Sequence, residues 1–192
     1  MTYRAFVFDL DGTLVNSKID FAAMRSELRL SQADDVLACI DALTDGFREA
    51  ALDIVHKYER AGAHDASPID GAREFIAHAR RSGQPCAVFT RNANSLAREC
   101  LQIHDFEVDL VVAREDAPPK PKPDGLFKIA TSFGINANEM LFVGDYIYDL
   151  QSGLAAGVPT ALFLPSPADF NTEGADFVFQ SFGQLKDRVF LP

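Results

Sequence analysis

A chain of 192 residues with 47% hydrophobic and 24% charged side chains has the apolar material for one sizeable core and a modest insertion. Its formal net charge of −10 excludes a protein that holds a phosphate backbone by neutralising it, and no apolar run approaches the roughly 18 residues of a membrane span. The sequence opens into its first strand without a basic, apolar signal pattern, so a cytoplasmic location is the expectation.

Phe6, Val7, Phe8 and Leu10 read as a strand buried on both faces, broken only by Asp9 and Asp11. Gly12 then supplies permissive backbone where the chain leaves the sheet. From about Ser17 to Ala66 the periodicity is helical. Two short helices are expected from Phe21, Met24, Leu28 and from Val36, Leu37, Ile40, Leu43, and a stronger third from Phe47, Ala50, Ala51, Ile54, Val55 and Tyr58, ended by Gly62. From Pro68 the pattern alternates: helix 70–82, strand 85–90, helix 94–103, strand 107–113, helix 124–133, strand 140–145, helix 148–156 and strand 159–164. Gly83, Gly134 and Gly157 fall just past helix ends, Phe177 to Phe179 reads as an edge strand, and the last residues as a helix.

The expectation is therefore an α/β core with a Rossmann-like parallel sheet, residues 1–15 and 68–192, carrying a small helical cap, residues 16–67, inserted after the first strand. Ligands of open parallel sheets bind beyond the carboxyl ends of the strands, so a segment leaving from the first strand's end is expected to hang over the site. The three cysteines, Cys39, Cys86 and Cys100, are odd in number and widely spaced, and read as reduced, packed thiols. With the four histidines they form no zinc-ligand spacing.

Side chains two apart on an extended strand share a face, so Asp9 and Asp11 address one ligand. Adjacent anions repel unless a cation or proton lies between them, and a hard divalent ion such as Mg²⁺ is the natural mediator. Polar residues also stand at other strand ends: Thr90-Arg91-Asn92 after one strand and Gly144-Asp145 after another, with Asp149 four residues on. Between them lies the stiff Pro118-Pro119-Lys120-Pro121-Lys122-Pro123-Asp124. Taken singly, these read equally as an Asp-Gly turn, a helix cap and a linker. Their joint occurrence in this order is far more specific.

Together these motifs resemble the haloacid dehalogenase superfamily, in the branch of phosphoglycolate phosphatases and β-phosphoglucomutases. The resemblance rests on Asp-x-Asp-Gly-Thr at Asp9 to Thr13, the strand-end Thr90, Lys-Pro-x-Pro at Lys120 to Pro123, and Gly-Asp-x-x-x-Asp at Gly144 to Asp149. It implies Asp9 as nucleophile, forming an aspartyl-phosphate, and Asp11 as the acid/base toward leaving alcohol and water. It further implies Lys120, the Thr90 hydroxyl and backbone amides around Leu10 to Gly12 as charge stabilisers. Mg²⁺ would be held by Asp9, the Asp11 carbonyl and Asp145, with Asp149 nearby or in the outer shell. Lys122 falls at the variable position and is expected to be solvated.

Arg91 and Asn92, beside Thr90, are candidate phosphate-binding residues, with Leu10, Gly12 and Lys120. Lys18, Arg25, Arg29, Arg48 and Arg60 are basic cap residues of the kind that meet a second anionic group, although such residues are mostly a solvated face. The family often carries an acid where Asn16 stands, and often a longer cap. The resulting expectation is a Mg²⁺-dependent phosphatase of a small phosphorylated metabolite, monomeric or homodimeric, without nucleic-acid or membrane partners. A phosphomutase shares its first step. A dehalogenase is disfavoured by Asp11, and a catalytically silent binding module by the presence of every core motif residue.

Overall fold

The computed structural model describes residues 3–190. Residues 1, 2, 191 and 192, which the expected core included, lie outside the described residues. The chain forms two compact units: the residues up to Asn16 with those from Ser67 onward, and Ser17–Ala66.

The larger unit opens with β1 (Ala5–Phe8) and β2 (Val15–Asn16), and resumes with β3 (Ser67–Pro68). Alternation follows: α4 (Ala72–Arg81), β4 (Cys86–Phe89), α5 (Asn94–Ile103), β5 (Leu110–Val112), α6 (Asp124–Phe133), β6 (Met140–Gly144), α7 (Ile147–Ala156), β7 (Thr160–Phe163), β8 (Phe177–Phe179) and α8 (Phe182–Phe190), with α1 (Phe21–Glu27), α2 (Val36–Asp41) and α3 (Asp45–His64) in the inserted unit. Six strands make a sheet in the order β5-β4-β1-β6-β7-β8, every neighbouring pair parallel. Counting core strands alone, that is 3-2-1-4-5-6, the doubly wound order whose reversal lies between β1 and β6. Ligand chemistry belongs beyond the carboxyl ends of those two strands.

The sequence of β1 explains its central place. Ala5 through Phe8 are wholly buried. Phe6 and Phe8 point to one face, where Phe75 of α4 stands 5.1 and 5.9 Å from their ring centres and Phe182 of α8 closes the aromatic layer. Ala5 and Val7 point to the other, where Leu126 and Ile129 of α6 complete a cluster with Phe89 and Phe142. An apolar run without alternation thus serves two faces. Gly83, Gly134 and Gly157 adopt the left-handed backbone expected past a helix end.

Several strands are shorter than their apolar runs. Strand 107–113 contracts to Leu110–Val112, because Glu107 and Asp109 bind Arg80 at 2.6 and 3.2 Å and Asp109 also accepts from the Cys86 amide. A two-residue antiparallel ladder, Val15 opposite Pro68 and Asn16 opposite Ser67, adds a second, small sheet that no periodicity in the sequence marks.

The smaller unit packs α1 (Phe21–Glu27), α2 (Val36–Asp41) and α3 (Asp45–His64) around Met24, Val36, Ile40, Ala51 and Val55. Asp20 and Asp35 cap the first two helices through the Ala23 and Ala38 amides. Arg48, one of the basic residues considered for a substrate, instead donates to the Asp41 and Leu43 carbonyls at the end of α2. Two expectations fail here. Phe21, Leu43, Phe47 and Ala50, assigned to apolar faces, are exposed: Phe21, Phe47 and Ala50 lie in the first turns of α1 and α3 and Leu43 in the connection between α2 and α3, beyond the reach of a fifty-residue helical unit's small core. Gly62 does not end α3, which continues to His64; a Cβ there would lie 2.9 Å from the Ile19 backbone nitrogen, so glycine serves close approach.

Candidate active site

The switch point is built by five segments of the larger unit. Asp9 extends β1 by donating its amide to the Val143 carbonyl of β6 at 2.8 Å, which holds its carboxylate beside β6 in a buried position. The chain then folds tightly on Leu10, whose carbonyl accepts from the Leu14 and Val15 amides at 2.9 and 3.0 Å while its side chain enters the core. Gly12 has φ +86, and a Cβ on it would stand 2.1 Å from Asp145 Oδ2. Glycine is required there twice, by the backbone and by the carboxylate against it. The Gly12 amide, expected among the phosphate-facing donors, is instead donated to the Val15 carbonyl at 2.7 Å.

At the end of β4, Thr90 is buried, and its Oγ1 accepts from the Asn92 amide at 3.1 Å, leaving the hydroxyl proton to be donated elsewhere. Asn92 Nδ2 donates to Asp11 Oδ2 at 2.6 Å. That bond places Asn92 on the acid/base candidate, whereas the sequence placed it on phosphate. Arg91 has a partner within the protein as well: its Nη1 donates to the Lys120 carbonyl at 2.6 Å and its guanidinium lies 4.7 Å from the Tyr148 ring centre. Neither Tyr148 nor the Thr13 hydroxyl, which donates to Asp145 Oδ1 at 3.2 Å, was singled out from sequence. Thr13 carried a signal as the last residue of its motif; Tyr148 carried none.

The two lysines take different places in the fold. Lys122 is exposed, as expected, while Lys120 is only 3% exposed and sits 5.6 Å from the ring centres of both Phe89 and Phe142. Its ammonium bridges Asp9 Oδ1 and Asp149 Oδ1, the latter at 2.6 Å. Asp149 enters from the first turn of α7, and its Oδ2 accepts from the Asp145 and Tyr146 amides at 3.2 and 3.0 Å. It reaches back because Gly144 has no side chain; a Cβ there would lie 2.3 Å from Asp149 Cγ. Both Asp149 oxygens are thus engaged within the protein, one by an ammonium and one by helix-starting amides.

Electrostatics follow from the count. Asp9 lies among the charges of Asp149, Asp145 and Asp11, and Lys120, held by Asp9 and Asp149, is the cation set against them. Burial pushes the Asp9 carboxyl up, Lys120 pulls it down, and the charges of Asp149, Asp145 and Asp11 push it up again, leaving it well above the usual range. Asp145 is pushed up to about 7 by burial first and the Asp149 charge second. Burial alone would lower the Lys120 ammonium, but Asp149 and Asp9 outweigh it and hold it raised and charged. A surplus of buried anions is what a cation relieves.

The donor set fits one. Carboxylate oxygens of Asp9, Asp145 and Asp149 all lie within 4.8 Å of one another, an all-oxygen environment of the hard type Mg²⁺ takes, and with both Asp149 oxygens already engaged, Asp9 and Asp145 are the ones with capacity left for an ion. The cradle is kept open by Gly12, which a Cβ would close onto Asp145. Cys86 and Cys100, by contrast, are buried thiols each pushed up to about 12, mainly by burial, and inert as nucleophiles.

Residues 3–157 match the family model of the haloacid dehalogenase-like hydrolases. The chain is 32% identical over 166 residues to an uncharacterised hydrolase of Saccharomyces cerevisiae, covering 83% of this chain and 76% of that one. It is 30% identical to a phosphoglycolate phosphatase of Chromobacterium violaceum, covering 96% and 95% of the two chains. A crystal structure of a hydrolase from Pseudomonas syringae superposes with a TM-score of 0.78 at 20% identity, covering 96% and 98%, a likeness of fold. This chain belongs to the haloacid dehalogenase-like hydrolases, as its four motifs anticipated.

Proposed function

We propose that this haloacid dehalogenase-like hydrolase is a Mg²⁺-dependent phosphomonoesterase of a small phosphorylated metabolite, working through an aspartyl-phosphate on Asp9. The observation that carries the reading is the pairing of a buried Asp9–Lys120 contact with a second acid, Asp11, that Asn92 already orients. The name of the Chromobacterium relative supports phosphate-ester chemistry. The inserted unit, Ser17–Ala66, is read as the cap that selects the substrate.

In the first step an Asp9 carboxylate oxygen attacks phosphorus and the ester P–O bond breaks. Asp11, entering protonated, gives its proton to the departing alkoxide. In the second step Asp11, now a carboxylate, takes a proton from water as that water attacks the acyl phosphate's phosphorus, and Asp9 leaves as a free carboxylate with inorganic phosphate. Lys120 and the Thr90 hydroxyl stabilise the phosphoryl oxygens, and Asp149 holds Lys120 from behind. Asp9, the Asp11 carbonyl and Asp145 would hold the Mg²⁺, which supplies charge neutralisation to the transferring phosphoryl group. Asp11 distinguishes this site from one built for carbon–halogen hydrolysis, and Asn92 keeps it in place for both proton transfers.

The test is a panel of phosphorylated metabolites assayed for phosphate release with and without Mg²⁺, alongside Asp9→Asn. Release that depends on Mg²⁺ and disappears in a folded Asp9→Asn protein is the expected result. Wild-type turnover by that variant would falsify the nucleophile, and the absence of Mg²⁺-dependent release across a broad panel would overturn the phosphatase reading.

A further inference from the structure

The residues between β5 and α6, 113–123, form no helix or strand, yet they deliver the one buried ammonium of the site. Side chains from other elements hold them. At the start, Asp116 accepts from the Ala113 amide at 3.0 Å and from Asn94 Nδ2 at 2.6 Å. At the end, Ser152 Oγ of α7 donates to the Lys122 carbonyl at 2.9 Å. In the middle, Arg91 reaches from the end of β4 to the Lys120 carbonyl, and Tyr148 of α7 lies against its guanidinium.

We propose that Arg91 is a positioning residue for Lys120: seated on Tyr148 and bound to the Lys120 carbonyl, it fixes the backbone from which the ammonium reaches Asp9 and Asp149. The physical case begins with the lysine stem, whose four rotatable carbons make the ammonium's place depend on where the backbone is held. A loop residue has no helical or sheet ladder to hold it. Arginine suits the task because its planar guanidinium donates in plane to a carbonyl while offering a flat face to an aromatic ring. A lysine at position 91 would bring a compact charge without that plane. Arg91 therefore acts through Lys120, and the fold gives its Nη1 to a protein carbonyl where sequence had assigned Arg91 to a substrate anion.

Two measurements on the full-length chain decide it, and only the second rests on the phosphatase reading. The first is the acylation rate of each lysine by an amine-reactive acetylating reagent, followed by peptide mass spectrometry in wild type, Arg91→Ala and Arg91→Lys. Lys122, exposed and two residues away, is the internal control. Arg91→Ala is expected to speed Lys120 acylation about tenfold or more and leave Lys122 within about twofold, with Arg91→Lys between, since it keeps the charge but not the fork. Unchanged Lys120 acylation in folded Arg91→Ala overturns the proposal. If that variant does not fold, Arg91→Lys carries the same comparison, and a Lys120 rate equal to wild type overturns it.

The second measurement is steady-state hydrolysis of p-nitrophenyl phosphate with Mg²⁺. A fall in kcat of about tenfold with KM within about twofold is the signature of a displaced Lys120. A raised KM with kcat retained would assign Arg91 to the substrate and overturn the proposal. If wild type releases no phosphate from any substrate, the phosphatase reading falls, and the acylation rates still decide the role of Arg91.

Discussion

Gly12→Ala tests the link between the first turn and the proposed cation site most directly. At φ +86 an alanine incurs a backbone penalty of about 1–2 kcal/mol. Its Cβ would also start 2.1 Å from Asp145 Oδ2, against an ordinary contact distance of about 3.4 Å, so that carboxylate must retreat by about 1.3 Å (3.4 − 2.1). The retreat strains the Thr13 Oγ1–Asp145 bond, already 3.2 Å long, and moves an oxygen of the proposed Mg²⁺ site by more than half of a Mg–O distance of about 2 Å. The substitution should weaken Mg²⁺ binding at least tenfold. At a Mg²⁺ concentration about 100 times the wild-type dissociation constant, the ion stabilises wild type by about 2.7 kcal/mol and a tenfold weaker binder by about 1.4 kcal/mol. The assay is urea unfolding of both proteins in chelator and in Mg²⁺. Equal Mg²⁺-dependent increments would refute the reasoning, because they would mean that Asp145 holds no ion or that the turn does not set its place.

Asp9→Asn should reduce phosphate release by at least about a thousandfold while leaving the circular dichroism spectrum unchanged, since amide nitrogen and oxygen are poor nucleophiles toward phosphorus. Asn92→Ala removes the 2.6 Å donor to Asp11 and should lower kcat about tenfold through loss of orientation, checked by steady-state kinetics with circular dichroism as the fold control. The metal-free protein should lose stability as pH rises from about 4 to about 7: Asp145 and Asp9 are raised above their ordinary values, so the folded state binds more protons than the unfolded chain across that window. Added Mg²⁺ should reverse the slope, and its affinity should fall below pH 7, where a proton competes at Asp145; a pH-independent affinity between 5.5 and 8.5 would contradict the raised carboxyl.

The parallel core was legible because its strands are buried on both faces, so unbroken runs such as Phe6 to Phe8 and Met140 to Val143 have one plausible home. The carboxylates were legible because strand ends at a switch point need few residues to mark them. What sequence could not carry was the second partner of each polar side chain. Arg91 and Asn92 stand beside Thr90 and so seemed to face the same phosphate, yet one turns to the Lys120 carbonyl and the other to Asp11, choices made by loops that meet only in the folded chain. Gly62 misled for a similar reason: a glycine needed for close approach of Ile19 looks, in one dimension, like a helix stop. The two-residue ladder of β2 and β3 is too short for any periodicity to show.

That ladder has an architectural consequence. By pairing Val15 with Pro68 and Asn16 with Ser67, it joins the points where the inserted unit departs and returns, so the larger unit meets the other fifty residues as a closed loop with fixed ends. Each doubling of such a loop's length costs only about 0.6 kcal/mol, so the length of chain inserted at this point is a minor term in the sheet's stability. A two-residue turn between Asn16 and Ser67 should therefore suffice to close the hairpin and leave the sheet folded without the inserted unit.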